Sequence, residues 1–365
     1  MSASPLFRPF DHPKLKLRNR IVMAPMTRKR SPGGAPGADV AAYYRRRGEG
    51  GVGLILSEGA GIRRNGSRSD PAVPNLFGDD ALAGWQAVVD GVKATGAKFA
   101  PQLWHVGARP DEATKALPEA PIDSPSGLPW PGKTVAEPMS EEAIADTIAA
   151  YAEAAANAAK LGCDAVEIHG AHGYLIDQFL WDGTNLRSDG WNGPTLKERA
   201  RFAAEVVRAM RQATGPDFPI LIRISQDKSP DGSVRLANDP GELALLVEVL
   251  AEAGVDIFHC SGARFSRREF AGSDLSFAGW VKKISGLPTI AVGTVGLDVP
   301  PATPLFATIA PGPIDEVERR LDAGEFDLVA VGRALLADPD WAEKVRAGRT
   351  DELIGFEARY VAELH

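Results

Sequence analysis

The sequence predicts a (β/α)8 TIM barrel that forms a single domain, with long loops at the face where the strands end. Three observations favour this fold: eight short runs rich in Val, Ile, Leu and Phe, a helical pattern between them, and long connections that follow strands. Apolar strands that alternate with helices are typical of a parallel sheet covered on its faces, and eight such units indicate closure into a barrel. We expect one domain over residues 1–365.

Each predicted strand is an apolar run that ends in a polar or glycine-containing loop. In chain order the strands are Ile21 to Met26, Gly53 to Glu58, Phe99 to Trp104, Ala165 to His169, Ile220 to Ser225, Ile257 to Ser261, Thr289 to Gly293 and Leu328 to Gly332. A doubly wound open sheet is the alternative architecture. No G-x-G-x-x-G turn follows the first strand, so a Rossmann domain is not expected.

Two helices between the strands have clear ends. The first begins after Ser140, a good N-cap, and ends at Gly162. Its inward stripe consists of Ile144, Ile148, Tyr151 and Ala155. The second begins near Pro194 and ends near Gly215. Two long proline-rich connections, 106–138 and 295–313, follow strands and are expected to be lids over the active face, or else passive insertions.

Composition limits the class of protein. The chain is 44% hydrophobic and 24% charged, which provides ample core. A net charge of -7 argues against a nucleic-acid or anionic-membrane surface, which would need a basic excess. The basic run Arg45 to Arg47 is expected to be a solvated helix face. The chain is compatible with a monomer or a homo-oligomer.

The cysteines and the N-terminal residues indicate the compartment. Cys163 and Cys260 lie in or beside apolar strand patterns, which predicts small buried side chains and no thiolate metal site. The N-terminal ten residues lack the apolar stretch of a secretory signal, and no run approaches the ~20 apolar residues of a membrane span. We therefore expect a cytoplasmic protein.

Three hydrogen-bond donors follow the fourth predicted strand. His169, His172 and Tyr174 lie within six residues at its carboxyl end, where side chains leave the core and can face a ligand. A single histidine at such a place is more often a chance surface residue. Three donors together after a buried strand predict a reaction site.

Other strand ends indicate a phosphate-bearing, planar ligand. Gly293 and Gly332 end strands seven and eight, where barrels often hold phosphate, and Arg333 adds a forked positive charge. Gln102 and Arg223 supply an amide and a second permanent charge at the mouth, which suit the carbonyls and ring nitrogens of a heterocycle. Together these residues predict a mononucleotide-like cofactor.

Five segments of the chain closely resemble the Old Yellow Enzyme family of flavin-dependent barrels, and the resemblance covers nearly the whole chain. They are Leu17 to Arg28, Ser57 to Ala60, Gln102 to His105, Asp164 to Leu180 and Asp327 to Arg333. The resemblance implies FMN as the cofactor and NAD(P)H as the reductant, both in one pocket. The residues that it assigns to FMN are Pro25, Met26, Thr27, Gly59, Gln102, Arg223, Gly293, Gly332 and Arg333.

The resemblance also implies roles for the three donors that follow the fourth predicted strand. His169 and His172 would donate to an oxygen of an activated alkene, an α,β-unsaturated carbonyl or nitro compound, and Tyr174 would supply a proton to its α carbon. Departures from the family occur at Thr27, which replaces a cysteine of one branch, and at Trp191, where many relatives have tyrosine. The rim residues Trp104, Trp130, Trp191 and Tyr360 are left without an assigned place.

Two other functions remain open from the residues. One is a metal-dependent barrel lyase or hydrolase with His169 and His172 as ligands, although no third or fourth ligand is evident and Arg223 would repel a cation. The other is a flavin-binding protein without turnover, for which a proton donor such as Tyr174 would have no use.

Overall fold

The fold was derived from a computed structural model that describes residues 4–68, 70–109, 120–229, 232–300, 303–304 and 306–364. Its strands are β1 Phe10–His12, β2 Leu15–Leu17, β3 Ile21–Met23, β4 Leu54–Gly61, β5 Lys98–Trp104, β6 Val166–Gly170, β7 Ile220–Ser225, β8 Ile257–Ser261, β9 Thr289–Val292 and β10 Leu328–Val331. Its helices are α1 Ala38–Glu49, α2 Asp79–Lys93, α3 Glu141–Lys160, α4 Leu175–Leu180, α5 Leu196–Arg199, α6 Arg201–Thr214, α7 Pro240–Ala253, α8 Phe277–Ser285, α9 Asp315–Asp322, α10 Arg333–Ala337, α11 Trp341–Arg346 and α12 Arg359–Ala362.

Strands β3 to β10 form a closed parallel barrel, in which β10 pairs with both β9 and β3. The predicted TIM barrel is confirmed. The first strand is shorter than predicted: it ends at Met23 because Pro25, two residues later, has no amide hydrogen to continue the ladder. The second is longer and runs to Gly61. Gly293 and Gly332 lie one residue beyond the ends of β9 and β10.

The barrel interior is a separate apolar cluster whose lower end is covered by the hairpin β1–β2. Phe10, Leu15 and Leu17 of the hairpin pack with the interior side chains Val22, Ala24, Leu54, Leu56, Ala100, Ala165, Leu221, Ile257, Ile290, Val292, Leu328 and Ala330. This antiparallel hairpin was not predicted. The packed interior leaves the carboxyl ends of the strands as the face on which a site can form.

The two predicted helices are present, one of them in two pieces. Ser140 accepts a hydrogen bond from the Ala143 amide at 3.1 Å at the start of α3, and Gly162 follows α3 with φ 74°. The predicted helix from Pro194 to Gly215 is interrupted at Ala200, so that the short helix α5 precedes α6. Gly215, with φ 80°, ends α6 as expected.

The basic run in α1 differs from expectation. Arg45 is exposed, but Arg47 is fully buried and its Nη2 donates to the Leu335 carbonyl oxygen at 3.1 Å, with the guanidinium 3.9 Å from the Tyr43 ring centroid. The expected solvated face is therefore wrong for Arg47. A buried guanidinium is stable here because backbone oxygens and an aromatic face replace its water.

The remaining expectations concern the cysteines, the connections and the membrane. Cys163 and Cys260 are both buried, as predicted, and both are free thiols. In the connections 106–138 and 295–313, residues 110–119, 301, 302 and 305 lie outside the described residues. Across the described ranges, the structure contains no helix with the length and apolar character needed to cross a membrane.

Candidate active site

The three predicted donors come together at the end of β6. His169 is in the strand, His172 lies in the turn that follows it, and Tyr174 immediately precedes α4. The rings meet edge to face: the centroids of His169 and His172 are 5.2 Å apart, and those of His169 and Tyr174 are 4.9 Å apart. Two imidazoles and one phenol therefore share a small space at the barrel mouth.

The turn that carries them, residues 171–174, has a constrained backbone. His172 has φ 62° and Gly173 has φ 77°. The first value costs a residue with a Cβ about 1–3 kcal/mol, so it persists only where the surrounding contacts impose it. Side chains hold this turn: the His172 amide donates to Ser225 Oγ at 3.1 Å, the Gly173 amide to Asp177 Oδ2 at 2.8 Å, and Gln178 Nε2 to the Gly173 carbonyl at 2.8 Å. The donors are thus positioned by a rigid segment.

An ion pair anchors the same turn to the loop after β7. Lys228 donates to Asp177 Oδ1, and both side chains are about 1% exposed. Arg109, from the loop after β5, donates to the His172 carbonyl oxygen and to Ser229 Oγ, the latter at 2.9 Å. The loops after β5 and β7 therefore both hold the 171–174 turn.

Both histidines are neutral. Burial lowers the pKa of His169 well below its usual range, and His172 and Arg223 lower it further. Burial, followed by Arg223, does the same to the pKa of His172. His169 Nδ1 accepts from the Ala171 amide at 3.4 Å, so its proton lies on Nε2. A neutral imidazole with one N–H can still donate a hydrogen bond to a ligand oxygen.

A serine connects the second histidine with the buried arginine. Ser261 Oγ is 2.9 Å from His172 Nε2 and 3.2 Å from Arg223 Nη2. A guanidinium can only donate, so the serine oxygen accepts from Arg223 and its O–H is available to His172 Nε2. In that arrangement the His172 proton lies on Nδ1.

Tyr174 is packed between an indole and a guanidinium. The Trp104 ring meets it edge to face at 5.1 Å, and the Arg109 guanidinium lies 5.0 Å from its centroid. Trp104 in turn rests on Gly59, where a Cβ would lie 2.8 Å from the indole Cε3. The close approach explains the glycine, and Trp104 is thereby placed beside the proposed donor.

Four buried side chains on neighbouring strands form what we call the floor cluster: Gln102, Glu167, Arg223 and His259. Gln102 Nε2 donates to Glu167 Oε1 at 2.8 Å, and His259 Nδ1 is 2.7 Å from Glu167 Oε2. Arg223 lies opposite His259 and, on its other side, opposite His169 in the strand register. Its Nε is buried and has no hydrogen-bond partner among the described residues.

The segment 25–27 follows β3 and faces the end of β10. A Cβ at Gly332 would lie 3.7 Å from the Met26 sulfur, so the predicted cofactor residues of the first and eighth barrel strands are neighbours. Gly293, at the end of β9, has φ 140°, and a Cβ there would lie 2.5 Å from the Gly262 carbonyl oxygen. Arg333 is partly buried, with its guanidinium 5.6 Å from the Phe356 centroid.

A buried carboxylate supports the backbone just after that segment. Glu58 Oε2 accepts from the amides of Arg28 at 2.8 Å and Lys29 at 3.1 Å. Burial raises the pKa of Glu58 to about 7, although the two amides oppose that rise. This carboxyl group therefore changes charge near neutral pH beside the predicted cofactor residues.

Three aromatic residues that the sequence left unassigned, Trp130, Trp191 and Tyr360, pack against side chains other than His169, His172 and Tyr174. Trp191 packs against Phe202 and Arg201 of α6, and Trp130 lies in the loop after β5, beside the Lys133 ammonium. Tyr360 is buried in α12, and its carbonyl oxygen accepts from Arg28 Nη2 at 2.8 Å.

Sequence reasoning missed several residues of the site. Ser225 and Ser261 were predicted only as the last residues of two strands and Arg109 only as part of a long connection, and it is the barrel geometry that brings them to His172. Glu167 lies in the fourth predicted strand, between Val166 and Ile168, and a charged residue at that place in an apolar strand indicates a buried polar role. In the described part of the chain, no three His, Cys, Asp or Glu side chains form a group that could hold a metal ion.

Comparison with known proteins identifies the family. Residues 5–352 match the model of the NADH:flavin oxidoreductase / NADH oxidase family. The chain is 33% identical to 12-oxophytodienoate reductase 7 of Oryza sativa subsp. japonica, over 94% of this chain and 88% of that protein. It is 34% identical to an NADPH dehydrogenase of Bacillus velezensis, over 93% of this chain and 94% of that protein.

A solved structure gives the same result. The chain superposes on morphinone reductase in complex with tetrahydroNAD with a TM-score of 0.78 and 29% identity, over 94% of this chain and 90% of that one. It spans about half the length of two other curated relatives that it matches. With this fold, this family match and these relatives, the chain belongs to the Old Yellow Enzyme family and is an NAD(P)H-dependent flavin oxidoreductase with FMN as its cofactor.

Proposed function

We propose that the protein is an ene-reductase that acts on activated alkenes, namely α,β-unsaturated carbonyl or nitro compounds. The observation that carries this proposal is the contact among His169, His172 and Tyr174, which places two neutral N–H donors beside a phenol. An enzyme that only passed electrons to a soluble acceptor would need no proton donor next to an oxygen-binding pair.

The residues present fit FMN. Arg223 offers a buried Nε that lacks a partner among the described residues, as a donor for a ring nitrogen or oxygen would. Pro25, Met26 and Thr27, which follow β3, and Gly59 of β4 would line the ring. Gln102 would bind its pyrimidine portion. The residues proposed for the phosphate are Gly293, Gly332 and Arg333.

Bound FMN supplies the chemistry of hydride transfer, from NAD(P)H to the β carbon of the alkene. His169 and His172 hold the substrate oxygen, and their N–H groups withdraw electron density from the conjugated double bond. Since both imidazoles are uncharged, they polarise this oxygen without giving up a proton. Tyr174 delivers the proton to the α carbon, and the 171–174 turn keeps the phenol and the imidazoles in fixed relation.

The names of two relatives agree with this chemistry. One is named for the reduction of 12-oxophytodienoate and the other for the reduction of morphinone. We carry over only the class of substrate, a conjugated oxo compound, because the rim residues of this chain have their own arrangement around Trp191.

The replacement Y174F tests the assignment of the proton donor. Loss of one positioned proton donor slows its step by roughly 10²- to 10⁴-fold, whereas reduction of the flavin needs no proton from this phenol. In anaerobic stopped-flow experiments, Y174F should be reduced by NADPH or NADH at a normal rate and be reoxidised by cyclohexenone at least a hundredfold more slowly. The matched control is Y151F, which removes the buried hydroxyl of a tyrosine in α3, outside the barrel.

Equal reoxidation rates in Y174F and Y151F would contradict the role of Tyr174. Reoxidation and treatment with a chelator distinguish the two other functions. A flavin-binding protein without turnover would be bleached by NAD(P)H but not reoxidised by any enone or nitroalkene. A metal-dependent lyase would lose its activity on treatment with a chelator, whereas a flavin spectrum and its reoxidation survive that treatment.

A further inference from the structure

We propose that Glu167 is a positioning residue for the cofactor: its buried carboxylate fixes the orientation of the Gln102 amide and offsets the positive charge of Arg223. This inference rests on the proposed contact between Gln102 and FMN and adds two residues, Glu167 and His259, that have no role in that proposal. It concerns the binding and the redox potential of the cofactor rather than the substrate.

Glu167 orients the side-chain amide of Gln102. This side chain is fully buried in β6, and its Oε1 is 2.8 Å from Gln102 Nε2. An ionised carboxylate can only accept hydrogen bonds, so Gln102 must direct its NH2 group toward Glu167. The carbonyl oxygen of Gln102 is then the end left for a ligand. A flavin pyrimidine ring carries an N–H that needs such an acceptor.

His259 holds the other oxygen of the Glu167 carboxylate. Its Nδ1 is 2.7 Å from Glu167 Oε2, and its ring is fully buried. Burial lowers the pKa of His259, and Arg223 adds to this, against the raising effect of Glu167. A neutral imidazole keeps one N–H, and the Nδ1–H of His259 donates to the Glu167 carboxylate. His259 therefore fixes the carboxylate that in turn fixes Gln102.

Glu167 also balances the charge of Arg223. His169, His172 and His259 are neutral, so Arg223 supplies the positive charge of the floor cluster and Glu167 the negative one. His259 lies opposite Arg223 in the strand register and is hydrogen-bonded to Glu167, so the carboxylate and the guanidinium are on either side of one ring. Burial lowers the pKa of Arg223, and Glu167 opposes this by favouring the charged guanidinium. A positive charge near the flavin stabilises its reduced anionic form and raises the potential. Glu167 offsets part of that effect and so holds the potential down.

Two variants separate the two roles of Glu167. E167Q keeps the side-chain volume and an oxygen that can accept from Gln102, but it removes the charge. The midpoint potential of bound FMN should then rise by about 30 mV, which is a tenfold change in equilibrium constant for a two-electron couple. The dissociation constant of FMN should change much less. E167L removes the acceptor as well, so Gln102 loses its fixed orientation and FMN should bind roughly tenfold more weakly.

The measurements are fluorescence titration of apoprotein with FMN and spectroelectrochemistry of the loaded protein. T289V is the matched control, since Thr289 is buried in β9 with a hydroxyl that has no partner among the described residues. It should leave both quantities unchanged. Q102L should weaken FMN binding and so tests the underlying cofactor contact separately.

An unchanged potential in E167Q, or unchanged FMN affinity in E167L while Q102L binds FMN weakly, would overturn the role of Glu167 and leave the proposed cofactor site intact. If Q102L binds FMN as tightly as the wild-type protein, the proposed contact of Gln102 is wrong, and the role of Glu167 falls with it. E167Q preserves the volume and the acceptor for Gln102, and His259 can shift its proton to Nε2 and accept from the new NH2 group, so the potential of E167Q decides the matter even if E167L does not fold.

Discussion

The buried pair Asp177–Lys228 should be far more important to stability than the surface ion pairs of this protein. Both side chains are about 1% exposed, and Asp177 also accepts from the Gly173 amide at 2.8 Å. Removing one partner leaves the other charge buried without compensation, which costs about 3–5 kcal/mol. We therefore expect K228M and D177N each to lower the free energy of unfolding by that amount.

The double variant D177N/K228M gives the sharper test. It removes both charges but keeps an oxygen at residue 177 for the Gly173 amide, so no charge is left buried. Replacing a buried ion pair by uncharged groups of similar volume is often close to neutral. The double variant should therefore be more stable than either single variant, with a coupling energy of at least about 2 kcal/mol.

Urea unfolding, followed by tryptophan fluorescence and circular dichroism, measures these free energies. E49Q is the control because it breaks the pair Arg45–Glu49 in α1, whose side chains are about half exposed, and it should cost less than about 0.5 kcal/mol. The reasoning would be refuted if each single variant cost as little as E49Q. It would be refuted equally if the effects of D177N and K228M simply added.

Three further predictions concern the site. The pKa of Glu58 is raised from 4.5 to about 7, so between these two pH values the folded protein keeps a proton that the unfolded chain releases. The free energy of unfolding should therefore fall by up to about 3 kcal/mol between pH 4.5 and pH 7. E58Q should abolish this slope in urea unfolding, and an equal slope in both proteins would refute the prediction. S261A removes the partner of His172 Nε2, so ¹⁵N NMR should show that ring in two tautomers. A single unchanged tautomer would contradict the role of the serine. G59A would push a Cβ to 2.8 Å from Trp104 and should cost about 1–3 kcal/mol, with an altered near-ultraviolet circular dichroism spectrum, whereas wild-type stability would mean that the indole moves freely.

The sequence was sufficient for the barrel because its strands are nearly continuous apolar runs. All eight predicted runs are barrel strands, and the errors are limited to their ends. Pro25 is an example, since it stops the ladder within a run that still reads as apolar. The hairpin β1–β2 was missed because its strands have three residues each, too few for a periodic pattern to stand out.

The site could be predicted only where neighbouring residues in the sequence are neighbours in space. His169, His172 and Tyr174 satisfy this condition, because one strand and one turn carry them. Ser261 does not, because it reaches His172 from β8, which is 89 residues away in the sequence. Arg47 illustrates the converse, since nothing in a run of three arginines indicates which one meets buried carbonyl oxygens.

The pairing of β10 with β3 has a consequence for synthesis of the chain. Val329 lies opposite Ile21, so the barrel closes between its first and its last strand. Until β10 has been made, β3 has a free edge and the apolar interior has an open side. Contacts between such distant residues form slowly, and unpaired strand edges promote aggregation. The nascent protein is therefore vulnerable until β10 has left the ribosome, and a chain that stops before Leu328 cannot close its barrel.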